Sequence, residues 1–292
     1  MRPTDSIHHV LNLGAGIQST ALALMSHRGE NGIPRFTAAI FADVGDEPSS
    51  VYRHLEWLTK EVSPSFPVLV RRRSRTLGQS LILGTNATGQ RFASIPAFTS
   101  KTEGEAGGML RRQCTKEFKV EVVERAIRMD ILGLKPRQRW PKSAQVYQYF
   151  GLSFDEGIRV FRVKNRMLTD GHSTPRFPLW DLQATRKDCF RYLERYGIPH
   201  QVHRSACVFC PFKSNEEWRH LRDTDPEGWK HAVEIDRAIR EKESLCAQSL
   251  TDKLYLHRQC VPLDRAAIDT PERAADQYQF GFVNDCEGMC GQ

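Results

Sequence analysis

The stretch Val10-Leu11-Asn12-Leu13-Gly14-Ala15-Gly16-Ile17-Gln18-Ser19-Thr20-Ala21-Leu22-Ala23-Leu24-Met25 decides how the rest of the chain is read. The apolar run Val10 to Leu13 has the character of a buried strand, Gly14 to Gly16 make a tight turn, and Ala21 to Met25 continue as a helix. Glycines let a backbone approach an anion closely, and free N–H groups at a helix N-terminus then hold its charge. A nucleotide phosphate is the expected guest. No Gly-Lys-Ser/Thr follows at the Walker A spacing, and Gly-x-Gly-x-x-Gly is also absent. A purely structural strand-to-helix turn would use the same small residues.

Outward from this stretch, strand and helix patterns alternate. Phe36 to Phe41 reads as a second strand, Ser49 to Val62 as a helix, Pro67 to Val70 as a third strand, Lys119 to Met129 as a helix and Gln145 to Phe150 as another strand. Gly84 to Gly108 is rich in small polar residues and is expected to be a mobile loop. Thr185 caps a predicted helix that runs through Tyr196 and stops at Gly197; Asn215 to Arg222 and Pro226 to Lys242 read as two more. Alternation of this kind predicts an α/β fold, doubly wound around a mostly parallel sheet. Residues 1–200 would form this domain, with 201–292 a helical, cysteine-bearing C-terminal segment packed on it. In such sheets ligands bind beyond the carboxyl ends of the strands, so Asp43, just after the second strand, is a candidate for a ribose or adenine hydrogen bond or for Mg²⁺. Asp46 and Glu47 precede Pro48 and are expected to serve as an acidic helix start.

The 292 residues suffice for a sizeable core, and no hydrophobic run approaches the roughly 20 residues of a bilayer span. Met1 to Ser6 lacks a signal-peptide stretch, so a cytoplasmic protein without membrane contact is expected. A net charge of +7, concentrated in Arg71-Arg72-Arg73-Ser74-Arg75 and Lys135-Pro136-Arg137-Gln138-Arg139-Trp140-Pro141-Lys142, suits an anionic partner such as nucleic acid, although solvated surface has the same look.

In a cytoplasmic chain, eight cysteines point away from disulfides and toward metal ligands, reactive thiols or core residues. Cys207-Val208-Phe209-Cys210-Pro211 has the Cys-x-x-Cys spacing of iron–sulfur, zinc and redox sites. Cys114 sits among Arg111, Arg112, Lys116 and Lys119, charges that favour a thiolate. Cys114, Cys207 and Cys210 make three thiolate ligands; Cys290 or Cys286 could add a fourth or a catalytic thiol, and structural zinc could draw on His203, Cys286 or Cys290. Cys189, Cys246 and Cys260 read as core residues.

Together, Gly14 to Thr20, Phe41 to Glu47, Arg112-Gln113-Cys114-Thr115 and Ser205 to Phe212 resemble the phosphoadenosine phosphosulfate reductase-like branch of the adenine nucleotide alpha hydrolase superfamily, the PP-loop ATP pyrophosphatases. The resemblance extends to Gly151 to Glu156, Phe177 to Asp181 and Asp285 to Gly291. Gly14 stands where the family's loop has a leading Ser, and Gln18 where it has Asp, a change that removes a charge from metal positioning. The resemblance implies ATP with Mg²⁺ at Gly14, Ala15, Gly16, Gln18, Ser19, Thr20 and Asp43. It also implies a [4Fe-4S] cluster, with zinc as the alternative, on Cys114, Cys207, Cys210 and Cys290, and Cys114, Asp43 and Cys286 in catalysis. The reaction implied is that of an ATP-dependent sulfurtransferase: adenylation of an acceptor, then sulfur insertion into nucleic acid as in DNA phosphorothioation or tRNA thiolation, with a cysteine desulfurase as sulfur donor. Reduction of adenylyl-sulfate is the first alternative, although the family's Glu-Cys-Gly-x-His nucleophile motif is absent. A non-catalytic nucleotide-sensing or nucleic-acid-binding module is the second.

Overall fold

The computed structural model describes residues 7–85, 95–105, 107–170, 172–241 and 251–270. Cys246, Cys286 and Cys290 lie outside them, as do the tail segment 285–291 and the roles expected of it. The strands β1 (Ile7–Leu13), β2 (Ala38–Asp43) and β3 (Val68–Arg72) are linked by helices α1 (Ile17–Arg28) and α2 (Ser49–Val62). Helix α3 (Leu77–Ile82) and short strands β4 (Phe98–Ser100) and β5 (Gly108–Met109) follow, then α4 (Glu121–Ala126), β6 (Gln145–Phe150), α5 (Gly157–Asp170) and β7 (Thr174–Arg176). The chain continues through α6 (Pro178–Asp181), α7 (Arg186–Tyr196), α8 (Asn215–Thr224), α9 (Pro226–Arg240) and β8 (Lys253–Tyr255).

The central sheet has the order β3-β2-β1-β6-β7 with every pair parallel, so the α/β class expected from the alternation is what the chain adopts. Period-2 geometry explains how helices cover both faces. Leu11, Leu13, Ala39 and Phe41 enter one core with α1 and α2, while Val10, Ile40 and Ala42 enter another with Val122, Val123, Val160 and Val163. Helix α1 is buried from Gln18 through Ser26, which is why its sequence carries small and apolar residues on nearly all sides.

The stretch expected to be a mobile loop instead contributes ordered structure on its described C-terminal side. Phe98, Thr99 and Ser100 pair antiparallel with Tyr255, Leu254 and Lys253, and Phe98 is buried against Tyr255 and Cys260. The pairing is with a segment far along the chain, which a local pattern does not show. A third core joins Val44, Leu77, Leu81 and Phe118 to Val208, Phe209, Trp218 and Ile235, so residues after 200 share a hydrophobic cluster with residues before it. Within it the buried carboxylate of Asp236 accepts from Leu256 N at 2.9 Å and Leu263 N at 3.0 Å and pairs with Arg240. That bonding ties α9 to β8 and the turn beyond.

Candidate functional site at the carboxyl rim of the sheet

From β1 the chain moves outward to β2 and β3, then returns to place β6 and β7 on the other side. Strand order therefore reverses between β1 and β6, the kind of place where open α/β sheets form a binding crevice. The loop Gly14–Gly16 leaves β1 at this point and Gly151 leaves β6 beside it. A Cβ on Gly151 would lie 2.7 Å from Ser19 N and 2.8 Å from Ser19 Cα, so only glycine lets the two backbones meet. Within the loop, Ser19 Oγ accepts from Gly14 N and Gly16 N, each at 3.3 Å, and donates to Gly16 O at 3.2 Å. The two glycine amides thus converge on one point, at the N-terminus of a 12-residue helix.

Ala15 holds φ +55°, in the left-handed region, at the middle of this turn. For an L-residue that conformation costs about 1–2 kcal/mol, part of which glycine gives back as chain entropy in the unfolded state. Ala15→Gly is therefore expected to stabilise the protein by up to about 1 kcal/mol, read as a rise in thermal midpoint; a fall would mean the Ala15 methyl contributes more by packing than its backbone loses.

Two cavities of about 10 Å³, each room for one water molecule, flank the loop. The first lies between Gly16, Gln18, Ser19 and Gly151; the second between Gly14, Phe41, Lys119 and Ser205; Asn12 lines both. Asn12 Nδ2 donates to Tyr149 O at 3.3 Å, and Gln18 Nε2 donates to Glu156 Oε2 at 3.0 Å and Ser153 Oγ at 3.3 Å. Their carbonyl oxygens, and the hydroxyl of Ser205, are buried with no hydrogen-bond partner in the structure. Buried polar atoms left this way call for a donor or a polar guest. Position 18 is thus tied by its amide to the loop after β6, a contact open to glutamine and closed to an ionised aspartate facing Glu156.

At the end of β2, Asp43 Oδ1 accepts from Gly45 N at 2.7 Å and Tyr52 Oη at 2.8 Å, while Oδ2 stands 3.9 Å from Arg72. Gly45 holds φ +83° within this turn. The expectation that Asp46 and Glu47 merely start α2 is corrected by the structure, because α2 is preceded by Pro48 and receives no side-chain cap from either. Asp46 instead accepts from Gly78 N at 2.8 Å and meets His231 Nε2 at 2.9 Å; its carbonyl accepts from Val208 N at 2.8 Å. Glu47 is buried, with Lys119 Nζ 3.7 Å from its carboxylate. The side chains of His231 and Lys119 and the backbone amide of Gly78 engage these acids, while the cysteine loop binds the Asp46 carbonyl, and local sequence shows none of those contacts.

That cysteine loop is a tight turn, with Cys210 N donating to Cys207 O at 3.0 Å and Lys213 N to Cys210 O at 3.1 Å. Its anchor on Asp46 sets Cys207 and Cys210 beside the rim. The hydrogen bond between the two thiols, then burial, then the charges of Cys210, Cys114 and Glu47 hold the Cys207 thiol well above its ordinary range. Of the four expected ligands, the three among the described residues fall in one region: Cys114 and Cys207 pack on one hydrophobic cluster and Cys207 and Cys210 on another, although Cys114 lies far away in sequence. Among the described residues no group of three or more His, Cys, Asp or Glu side chains is arranged to hold a metal ion. Cys114 opens a helical run through Ile131 that is longer than the expected Lys119 to Met129 and contains π-helical turns at Lys116–Val120 and Ile127–Ile131. The first of these carries Lys119 toward the loop, a common place for π-turns in functional sites. Cys189 and Cys260 are buried in hydrophobic clusters.

Behind the loop, Thr20 Oγ1 lies 2.8 Å from His54 Nε2, and His54 Nδ1 lies 2.9 Å from His200 Nε2. His203 stacks on His220 with ring centroids 4.6 Å apart rather than joining the cysteines, where zinc ligation would require it. Of the two basic stretches, the first is largely engaged internally: Arg71 is bidentate to Asp130 at 2.8 and 3.0 Å, and Arg73 pairs with Glu121. The second is exposed but precedes β6, which puts it at the amino rim, opposite the crevice. Among the described residues no helix is long and apolar enough to cross a membrane.

Neither protein-family models nor curated proteins match this chain. The geometry alone therefore defines the site: an anion-sized loop at the switch point of a parallel sheet, with a lysine, two orphaned amide oxygens and three neighbouring thiols around it. Lys119, Ser205, Asn12 and His54 were not singled out from the sequence. They lie within stretches read there for other reasons: Asn12 in the opening strand, His54 in the helix from Ser49 to Val62, Lys119 as the last cation around Cys114 and Ser205 at the head of the cysteine segment.

Proposed function

We propose that this chain is an ATP pyrophosphatase-type enzyme that adenylates an acceptor and supports sulfur insertion into nucleic acid, as a member of the phosphoadenosine phosphosulfate reductase-like branch of the PP-loop superfamily. The observation that carries this reading is that the glycine loop at the β1/β6 switch point and the thiols of Cys114, Cys207 and Cys210 share one rim of the sheet, linked through the Asp43–Glu47 turn. Phosphate oxygens of ATP take over the amides of Gly14 and Gly16 that now meet on Ser19 Oγ. An oxygen of the acceptor forms a bond to the α-phosphorus, the bond to the bridging oxygen breaks, and pyrophosphate leaves. Lys119, freed from Glu47, neutralises charge that builds on the phosphate, and a Mg²⁺ ion held by Asp43 would add to that stabilisation. Asp43, bound to Gly45 and Tyr52, shapes the turn beside the nucleotide and is the carboxylate available to Mg²⁺ on release of Arg72. Sulfur reduced to the sulfide level by an external thiol, which is oxidised to a disulfide, then forms a bond to the activated acceptor atom; the bond from that atom to the AMP oxygen breaks, and AMP departs with the electron pair.

Cysteine thiols are the ligand chemistry of a cluster, and Cys207 packs both on the hydrophobic cluster that Cys114 touches and on the one that holds Cys210. A [4Fe-4S] cluster on Cys114, Cys207 and Cys210 would supply an open iron position for sulfur brought by a cysteine desulfurase. Anaerobically purified protein is expected to contain about four iron and four sulfide per chain, with iron lost in Cys207→Ser and in Cys114→Ser. Stoichiometric zinc without iron overturns the cluster. Pyrophosphate release from ATP plus acceptor tests the chemistry separately: Lys119→Met is expected to slow it about 10²-fold, and a wild-type protein that releases none with any nucleic-acid acceptor sinks the reaction.

A further inference from the structure

A second cleft, of about 430 Å³, opens on the same carboxyl rim between the N-terminal turn of α2, the segment Gln201–Arg204 that leads into the cysteine loop, and one face of α8. Its walls carry Arg53, Arg204, Lys213 and Arg219. Two of the acids that line it are turned to other tasks. Glu217 pairs with Arg204 at 3.4 Å and accepts from Ser214 N at 2.8 Å, and Asp225 accepts from Ser49 N at 2.8 Å and Gly228 N at 3.1 Å. Glu216, the remaining acid of the lining, is outnumbered by these four cations. The cations are differently placed. Arg53 is exposed and, among the described residues, donates to a neutral hydroxyl, Ser49 Oγ at 3.4 Å; Lys213 lies over the Trp218 ring, 5.9 Å from its centroid. Burial first, then the neighbouring charges of His220, His200 and Arg53, holds His203 below the ordinary imidazole range. The stacked His203–His220 pair adds a flat surface whose outer ring, His220, is exposed.

We infer that this cleft binds the sugar–phosphate backbone of a single-stranded nucleic acid, with Arg53 and Lys213 on phosphates and the His203–His220 pair stacking a base. Cations without a carboxylate partner among the described residues of the cleft, beside a planar ring pair, are the chemistry of a single strand, since phosphate contacts supply affinity and every base has a face to stack. The cleft is also better placed than the basic stretch 135–142, because it adjoins the loop of Cys207 and Cys210 while that stretch lies at the opposite rim. The inference names the acceptor site of the reaction proposed above, and binding is measured without ATP, so the two fail separately.

The test is fluorescence anisotropy of the full chain with a labelled single strand of about 12 nucleotides, titrated over salt. Arg53→Ala with Lys213→Ala is expected to weaken binding roughly tenfold or more and to reduce the salt slope by about 1.4, two contacts at about 0.7 each. Circular dichroism and thermal midpoint confirm that the variant folds. His220→Ala is expected to weaken a base-bearing strand and leave an abasic phosphodiester strand unaffected, which separates stacking from charge. Unchanged affinity and slope in the double variant overturn the inference, as does loss of binding in Arg137→Ala with Arg139→Ala instead. Inorganic phosphate competing as well as the oligonucleotide, or a poly-glutamate peptide binding as tightly, also overturns it.

Discussion

Lowering the pH from 7 to 4 is expected to remove several kcal/mol of folding stability, most of it through His54 and His257. Both are 1% exposed, and burial first, then neighbouring positive charge, lowers each to about 4 from an ordinary 6.5. For His54 the neighbours are His200 and His203; for His257 the neighbour is Arg258. The folded state thus resists protonation while the unfolded chain accepts it below 6.5. The stabilisation is complete above pH 6.5, declines as pH falls, and is gone near pH 4. At 1.36 kcal/mol per pH unit, each imidazole contributes about 3 kcal/mol. The bonding explains why neutrality is required: His257 Nδ1 accepts from Gln259 N at 3.3 Å, leaving Nε2–H to donate to Asn215 Oδ1 at 3.0 Å. His54 bridges Thr20 and His200 with one nitrogen donating and the other accepting. Denaturant unfolding across this window should show the decline, and His54→Gln or His257→Gln should each remove about half of it. A wild-type stability that is flat from 6.5 to 4 contradicts the assignment. Because His54 holds Thr20, ATP affinity should decay over the same window.

Gly151→Val is expected to abolish ATP binding. Its Cβ would be driven against Ser19 N, Ser19 Cα and, at 3.1 Å, the carbonyl carbon of Gln18. These are backbone atoms at the start of α1, so no rotamer change relieves the overlap; the loop or β6 must move. Overpacking of this kind costs about 1–3 kcal/mol of stability. The larger effect falls on the loop, because displacing Ser19 breaks the convergence of the Gly14 and Gly16 amides. Calorimetric titration should show no measurable ATP binding in a variant that still melts cooperatively, and Gly151→Ala should be intermediate. Wild-type affinity in Gly151→Val would show that the nucleotide does not use this loop.

Some elements were legible because their signals are local. Helix α2 begins and ends where the pattern places it, Thr185 caps α7 by accepting from Asp188 N, and Gly197 closes that helix at φ +82°. Helix α5 was not read, although Ser153 and Glu156 ahead of it form a capping box that a closer look at spacing would have found. The short strands β4, β7 and β8 have three residues each, too few for a period to register.

By itself, the sequence determined the alternation of β1, α1, β2, α2 and β3, the later β6, α7, α8 and α9, the anion-sized loop and the candidate ligands, because turn chemistry, capping and hydrophobic period act over a few residues. Only the tertiary structure decided that Gly151 meets Ser19, that Glu47 meets Lys119, and that Cys114 neighbours Cys207 and Cys210. Those contacts depend on strand order and crossover packing, which bring together residues whose neighbours in the chain carry no record of the meeting.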